Sequence, residues 1–269
     1  MPFLIVDVVM NKFLKLLLLL FPFISNAQAN YEIQVYGSQT QQPHSTIFEL
    51  HSNFTFKGEK ELIKGVRPSY HALHETVEIT HGISQNFEIG FYLFTNYTAN
   101  YGYNLVGTHI RPRVMAPLSW HWPVGVSLSA EIGYQRPQYA GETWSLELRP
   151  IVDKQWNAFY LSFNPTLGIA IRSPDNNHVP VFEPNLKAAY NAFRNFSIGL
   201  EYYGEMGTID AFETLAAQNH AVFLSADMLN NPTWELNTGA GFGLTPATDG
   251  FIFKVLIGRR IFWKQKQKN

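Results

Sequence analysis

Two short stretches contain residue types that could do chemistry. His51-Ser52-Asn53 holds the imidazole, hydroxyl and amide that a hydrolase site would need, and His71, His74, Glu75, Glu78 and His81 offer imidazole and carboxylate ligands. Neither has the right spacing. Adjacent residues of a strand face opposite ways, so His51 cannot readily activate Ser52. The helical H-E-x-x-H arrangement of a zinc site is absent. On a strand, His74 and Glu78 share a face and His51 can sit across from them. That leaves two readings, a hydrogen-bonded structural cluster or a metal- or proton-sensitive one. No catalytic residue, cofactor or metal site is assigned on these grounds.

The elements that position these residues are read from hydropathy of period two. Twelve segments of roughly nine to fourteen residues alternate apolar with polar or small residues, each broken by a turn. They are 46–57, 70–81, 87–96, 108–116, 124–135, 143–153, 158–172, 181–190, 196–204, 220–228, 233–243 and 251–263. In the first, Phe48, Leu50, Phe54 and Phe56 oppose Glu49, His51, Asn53, Thr55 and Lys57. Strands of soluble sandwiches are shorter, whereas a tilted membrane strand needs 9–11 residues. A soluble barrel would bury its apolar set and cover its exterior with Lys and Glu. Here the polar set is rich in Gly, Ser and Thr. The expected fold is therefore all-β, an antiparallel up-and-down transmembrane β-barrel of about twelve strands.

Connections support this expectation. Those after even-numbered strands are short, as at 82–86, 154–157 and 191–195. Those after odd-numbered strands are usually longer, as at 58–68, 97–107 and 205–219. Short periplasmic turns and longer outer loops characterise outer-membrane barrels, and an even strand number puts both termini on the periplasmic side. Trp120, Trp122, Trp156, Trp234 and Trp263 fall at strand ends assigned to the periplasm, and Trp144 near the other rim. Such sorting is expected of headgroup-level aromatic girdles. In the last strand Arg259 interrupts the apolar face and is expected to snorkel to the interface. Glu75 should point at lipid by strict alternation, so a β-bulge near 74–76 or a displaced register is expected.

The polar face then lines a lumen. Its candidate lining residues are Glu49, His51, His74, Glu78, Glu88, His109, Arg111, Arg113, Glu131, Glu147, Arg149, Arg172, Glu183, Lys187, Glu201, Asp227, Glu235 and Lys254. Signs tend to alternate between neighbouring strands, Glu88 and Glu131 flanking Arg111/Arg113, and Glu235 and Glu49 flanking Lys254/Arg260. This pattern suits either a salt-bridge network filling a narrow barrel or a charged conduit. Twelve strands lie between filled small barrels and open porins.

The N-terminus reads as an export signal. Met10-Asn11-Lys12-Phe13-Leu14-Lys15 is a basic start, 16–24 is apolar, and Ser25-Asn26-Ala27-Gln28-Ala29 supplies small residues with an A-x-A ending. Nine apolar residues are too few to span a bilayer. Cleavage is expected after Ala29, with Met10 a candidate true start. The expected organisation is signal peptide 1–29, a periplasmic-side N-terminal segment 30–45, a barrel 46–263 and a polar tail 264–269.

Composition sets limits. The 269 residues are 15% charged, 46% hydrophobic and 15% aromatic, with no cysteine and a formal charge of −1. No basic field exists for nucleic acid, and disulfides, thiolate metal sites and cysteine nucleophiles are excluded.

Tyr31–Gly37, Glu49–Asn53, His74–Thr80, His109–Arg113, Glu131–Gln135 and Arg149–Lys154 together carry a resemblance that spans most of 31–260. The chain resembles a family of poorly characterised bacterial outer-membrane β-barrels, distantly like transporters assigned near phenol-degradation pathways. The resemblance implies location and architecture, and carries no established substrate or catalytic residue. The leading expectation is a passive channel or transporter for a small solute in the outer membrane of a Gram-negative bacterium. Its expected partners are membrane lipid, the outer-membrane assembly machinery and that solute, with no nucleic acid. A plugged barrel with a structural or surface-binding role is the alternative, and an outer-membrane hydrolase is third.

Overall fold

A computed structural model describes residues 31–172 and 177–263. The expected signal peptide, 1–29, and the polar tail, 264–269, lie outside the described residues. Twelve strands of 10–14 residues form the wall. They are β1 (Ser45–Lys57), β2 (Leu73–Ser84), β3 (Phe87–Thr98), β4 (Gly102–Met115), β5 (Gly125–Gln135), β6 (Trp144–Trp156), β7 (Phe159–Arg172), β8 (Val181–Phe193), β9 (Phe196–Glu205), β10 (Asn219–Met228), β11 (Trp234–Gly243) and β12 (Phe251–Phe262). Each pairs antiparallel with its sequence neighbours, and β1 pairs with β12 to close the barrel. A short hairpin at Gly207–Thr208 and Ala211–Phe212 extends the β9–β10 loop and touches β8.

The alternation sets the two faces. Along β1, Glu49, His51, Asn53 and Thr55 are buried, while Phe48, Leu50 and Phe56 are exposed. The same parity exposes Val77 and Ile79 on β2, Phe91 and Leu93 on β3, Leu128 and Ile132 on β5, and Phe253 and Ile257 on β12. An apolar belt thus surrounds a polar interior, the inverse of a soluble barrel. Among the described residues no helix is long and apolar enough to cross a membrane, which says nothing against crossing by strands.

The two ends differ. One carries the tight connections 85–86, 157–158 and 194–195 together with 116–124 and 229–233. Asn157 takes a left-handed φ of 50° in its two-residue turn, a conformation Asn tolerates better than most residues. The other end carries 58–72, 136–143, 206–218 and 244–250. The long loop expected at 97–107 is mostly strand, since Tyr97 pairs with Tyr103 and only 99–101 turn. A register shift between Phe94 and Thr95 places Val106 inside the barrel beside Gly107. That irregularity breaks period two and hides the first six residues of β4 from a pattern search.

Glu75 also departs from expectation. The β2 register runs without a shift from Leu73 to Gly82, so no bulge turns the side chain inward. Glu75 stays on the outer face, where it accepts a 3.4 Å bond from the Ser52 hydroxyl. It sits two residues from the start of β2, near the ring formed by Tyr97 and Tyr103. Charge on the outer face is costly at mid-depth and nearly free at the rim, so no bulge is needed.

Candidate functional site: a lumen occupied by the N-terminal segment

Residues 31–42 run through the barrel interior from the loop end to the turn end, then reverse into β1. The sequence reading set 30–45 aside as a short piece on the periplasmic side. Its contacts instead reach strands around the wall. Tyr31, Ile33, Val35 and Tyr36 are all buried.

The segment pairs with no strand, so its main-chain groups need other partners. Wall side chains supply them. The carbonyl of Tyr31 accepts from Thr76 (2.8 Å) and Asn53 (3.3 Å), and that of Ile33 from Lys254 (2.9 Å). The Tyr36 carbonyl accepts from Ser162 (2.6 Å) and Asn164 (3.0 Å), while its N–H donates to Asn164 (2.8 Å). Arg113 donates to the carbonyls of Gly37 (3.0 Å) and Gln39 (2.8 Å). The N–H groups of Ser38 and Gln41 donate to Asp153 (2.9 Å) and Glu88 (2.5 Å).

Side chains complete the fit. At the loop end Tyr31 packs with Tyr92, Phe94, Val106 and Tyr139. Ile33 joins Ala221, Phe223 and Ile252 on the opposite wall. The Tyr36 ring lies 4.8–5.6 Å from the guanidinium centres of Arg149, Arg111 and Arg113, a favourable cation–π arrangement in a desolvated site. Its hydroxyl donates to Glu32, which also faces Arg149 at 3.5 Å.

Around the segment lie the charged candidates. Arg111 bridges Glu78 (2.7 Å) and Glu88 (3.1 Å), and Arg113 also holds Glu88 (2.8 Å). His51 faces Glu78 at 3.3 Å, and His109 meets Glu131 at 2.5 Å. Glu147 pairs with Arg149 (2.8 Å). Lys187 bridges Glu201 (3.0 Å) and Asp227 (2.6 Å), and Lys254 also holds Glu201. Glu235 faces Arg260 at 3.7 Å. His74 stands apart from the His51–Glu78 pair, edge-on to Tyr31 and near Asn96. Glu183 leans over Gly168. Arg172 is exposed at the last position of β7 and, among the described residues, forms no ion pair.

The neighbouring-strand pairing expected for two cations is only partly realised. Arg111 reaches past β3 to Glu78, while Glu131 takes His109 instead. Lys254 on β12 engages Glu201 on β9, three strands away. Long side chains in a confined interior choose partners by reach, not only by strand adjacency. Ser162, Asn164, Thr76 and Asn53, which bind the segment's main chain, are not among the lining candidates named from the sequence. They are small and uncharged, so their residue types alone do not mark them.

The two mouths are unequal. At the turn end a vestibule of about 830 Å³ is lined by Glu49, Glu78, Arg111, Asp153, Trp122 and Tyr36 among others. At the loop end a cavity of about 30 Å³ lies between Tyr31, His74 and the 58–72 loop, room for little more than a water molecule. Above it the Arg67 N–H donates to the Gln138 carbonyl (2.9 Å). Arg67 also donates to the Tyr139 hydroxyl and stacks over Tyr101 at 4.2 Å. Burial raises the Tyr139 phenol above its ordinary pKa and Arg67 opposes the rise, so the clasp keeps its proton at neutral pH.

The exposed tryptophans sort to the rims. Trp120 and Trp122 sit 5.0 Å apart in the 116–124 turn, and Trp156, Trp234 and Trp263 lie at the same end. Trp144 is at the other end against Tyr134. Arg259 stacks over Trp234 at 5.0 Å, which explains an arginine on the apolar face.

No protein-family model matches the chain, and no curated protein does. Solved structures do. An outer-membrane channel from Pseudomonas putida F1 superposes with a TM-score of 0.56 at 9% identity, covering 86% of this chain and 100% of that one. The KdgM porin gives 0.52 at 8% identity, covering 79% and 98%. The chain shares their barrel fold.

Proposed function

We propose that this protein is an outer-membrane channel for a small polar solute, held nearly closed in the described conformation by its own N-terminal segment. The observation that carries the proposal is the asymmetric lumen. An open, charged vestibule lies at one mouth and ends against residues 31–36, which are fastened by side chains and not woven into the sheet. A purely structural barrel has no need of an 830 Å³ vestibule. The apolar belt, the rim tryptophans and the barrel fold shared with porins support the membrane setting, with the short turns in the periplasm.

A second reading has its own observation. Segment and clasp together leave only about 30 Å³ at the loop end, as a permanently plugged barrel would. Planar-bilayer recordings separate the two. The refolded chain without residues 1–29 should show discrete conductance steps, and a variant also lacking 31–42 should show larger or more frequent ones. Both samples are first checked for heat-modifiable gel migration, which reports the folded barrel. Absence of steps in both would remove the transport reading and leave the plugged one. Uptake of small polar against phenol-type solutes in a porin-deficient strain then tests the solute class, including the phenol-pathway association that the sequence resemblance suggests.

A further inference from the structure

One interior carboxylate faces two others with no cation of its own. Glu49 on β1 sits directly across from Glu78 on β2, and across Gly258 on β12 from Glu235 on β11. Like charges placed opposite each other on adjacent strands are destabilising. Glu78 is relieved on one side only, since its Oε1 takes Arg111 (2.7 Å) and the Thr80 hydroxyl (2.6 Å). Its Oε2 faces the His51 Nε2 at 3.3 Å, and both atoms are buried without a hydrogen bond. Glu49 is only 7% exposed, yet among the described residues it forms neither a hydrogen bond nor an ion pair. Arg111 cannot serve it, being already committed to Glu78, Glu88 and Thr80.

We propose that Glu49, His51 and Glu78 bind one divalent transition-metal ion of the zinc type. One ligand atom from each lies within 4.8 Å of the other two. Ligands at zinc–oxygen and zinc–nitrogen distances stand roughly 3.4 Å apart in a tetrahedron, so small side-chain rotations close the site. Two carboxylates and an imidazole form a borderline-hard donor set suited to such an ion. The ion also offsets the surplus charge of a group holding Glu49, Glu78, Glu88 and Glu235 against Arg111, Arg113 and Arg260. Glu49 and Glu78 line the turn-end vestibule, which supplies the entry path and a fourth, open coordination position. This inference does not depend on solute flux.

The test uses the folded barrel in detergent, stripped with EDTA. Calorimetric titration with Zn²⁺ should show one saturable site, and Co²⁺ should acquire the visible absorption of a low-symmetry protein site. E49Q and H51N should each weaken binding at least tenfold, while H178N, which removes an exposed loop histidine, should not. Folding of every variant is verified by heat-modifiable migration. E49D, which keeps the charge, should retain more affinity than E49Q. No saturable Zn²⁺ binding to the folded wild type would overturn the proposal. So would binding that E49Q and H51N leave unchanged, or a site that takes Ca²⁺ but not Zn²⁺ or Co²⁺. Conductance measured on the same samples reports separately on the channel reading.

Discussion

Fixing the N-terminal segment to the wall should silence the channel reversibly. The chain has no cysteine, so a designed pair has no competitor. A Cβ built on Gly125 would lie 3.2 Å from the Cβ of Ser38. Disulfides need Cβ atoms about 3.5–4.5 Å apart, so S38C/G125C requires the segment to retreat by only a few tenths of an ångström. The Ser38 hydroxyl oxygen, 2.1 Å from that Cβ, is itself replaced, and the Asp153 carboxylate, whose Oδ1 lies 2.2 Å from the same Cβ, must swing aside. The bond would close a loop of roughly 90 residues, and in the chain-entropy model that stabilises the folded barrel by about 4.5 kcal/mol. Two readouts follow. Oxidised S38C/G125C should lose its folded gel band at a higher temperature than the reduced form. In planar bilayers the oxidised protein should be nearly silent, and dithiothreitol should restore steps resembling wild type. Asp153 loses its hydroxyl donor from Ser38 in both redox states, so that change cancels in the comparison. If the verified disulfide leaves conductance unchanged, ions pass the segment without displacing it, and its gating role is wrong.

Three substitutions probe the frame around the segment. K254M removes the buried donor to Glu201 and to the Ile33 carbonyl. Breaking a buried pair costs about 3–5 kcal/mol, and because Lys187 still holds Glu201 at 3.0 Å the low end is expected, read as earlier loss of the folded band on heating. K254M/E201L should recover much of that loss. G107A places a Cβ 2.0 Å from the Tyr134 carbonyl oxygen, a backbone atom that cannot step aside. It should cut the folded fraction on refolding, and normal folding would show that the β4 bulge is not tightly constrained. E75L should change stability by less than about 1 kcal/mol, because a carboxylate near the rim costs little there. A large stabilisation would place Glu75 deeper in the membrane than its position on β2 implies.

The wall was legible in the sequence because period two is imposed by two solvents at once, hydrocarbon outside and water or polar groups within. All twelve strands were found, most bounds within a few residues. The clearest miss was 102–107, where Val106 turns inward through a register shift and local alternation fails. Inward residue types were legible for the same reason, but their partners were not. Lys254 finds Glu201 three strands away, and no one-dimensional pattern encodes a distance across a lumen. The role of residues 31–42 was hidden for a different reason. An extended segment bound by side chains leaves no hairpin, no turn and no partner strand, and Tyr31, Ile33 and Val35 alternate like any strand.

Ion selectivity follows from which charges remain uncompensated. Among the described residues every inward arginine and lysine named above has a carboxylate within 4.0 Å: Arg111, Arg113, Arg149, Lys187, Lys254 and Arg260. The converse does not hold. Among the described residues Glu49, Glu131 and Glu183 have no arginine or lysine within that distance, Glu131 meeting His109 instead, and Asp153 is answered by the hydroxyls of Ser38 and Tyr160 and the Ser38 N–H. Paired charges largely cancel in the field along the axis, so the carboxylates that lack an arginine or lysine set its sign. Two of them, Glu49 and Asp153, line the vestibule, where a passing ion meets them before the segment. The channel should therefore favour cations. With EDTA present, so that no divalent ion offsets Glu49, the reversal potential under a KCl gradient should lie toward the potassium equilibrium potential, and E49Q should move it toward zero. Removing 31–42 also removes Glu32, one of the two carboxylates on Arg149, so that variant should discriminate less than wild type despite its larger steps. A wild-type reversal potential on the chloride side would show that the arginines beneath the vestibule, and not its unpaired carboxylates, govern passage.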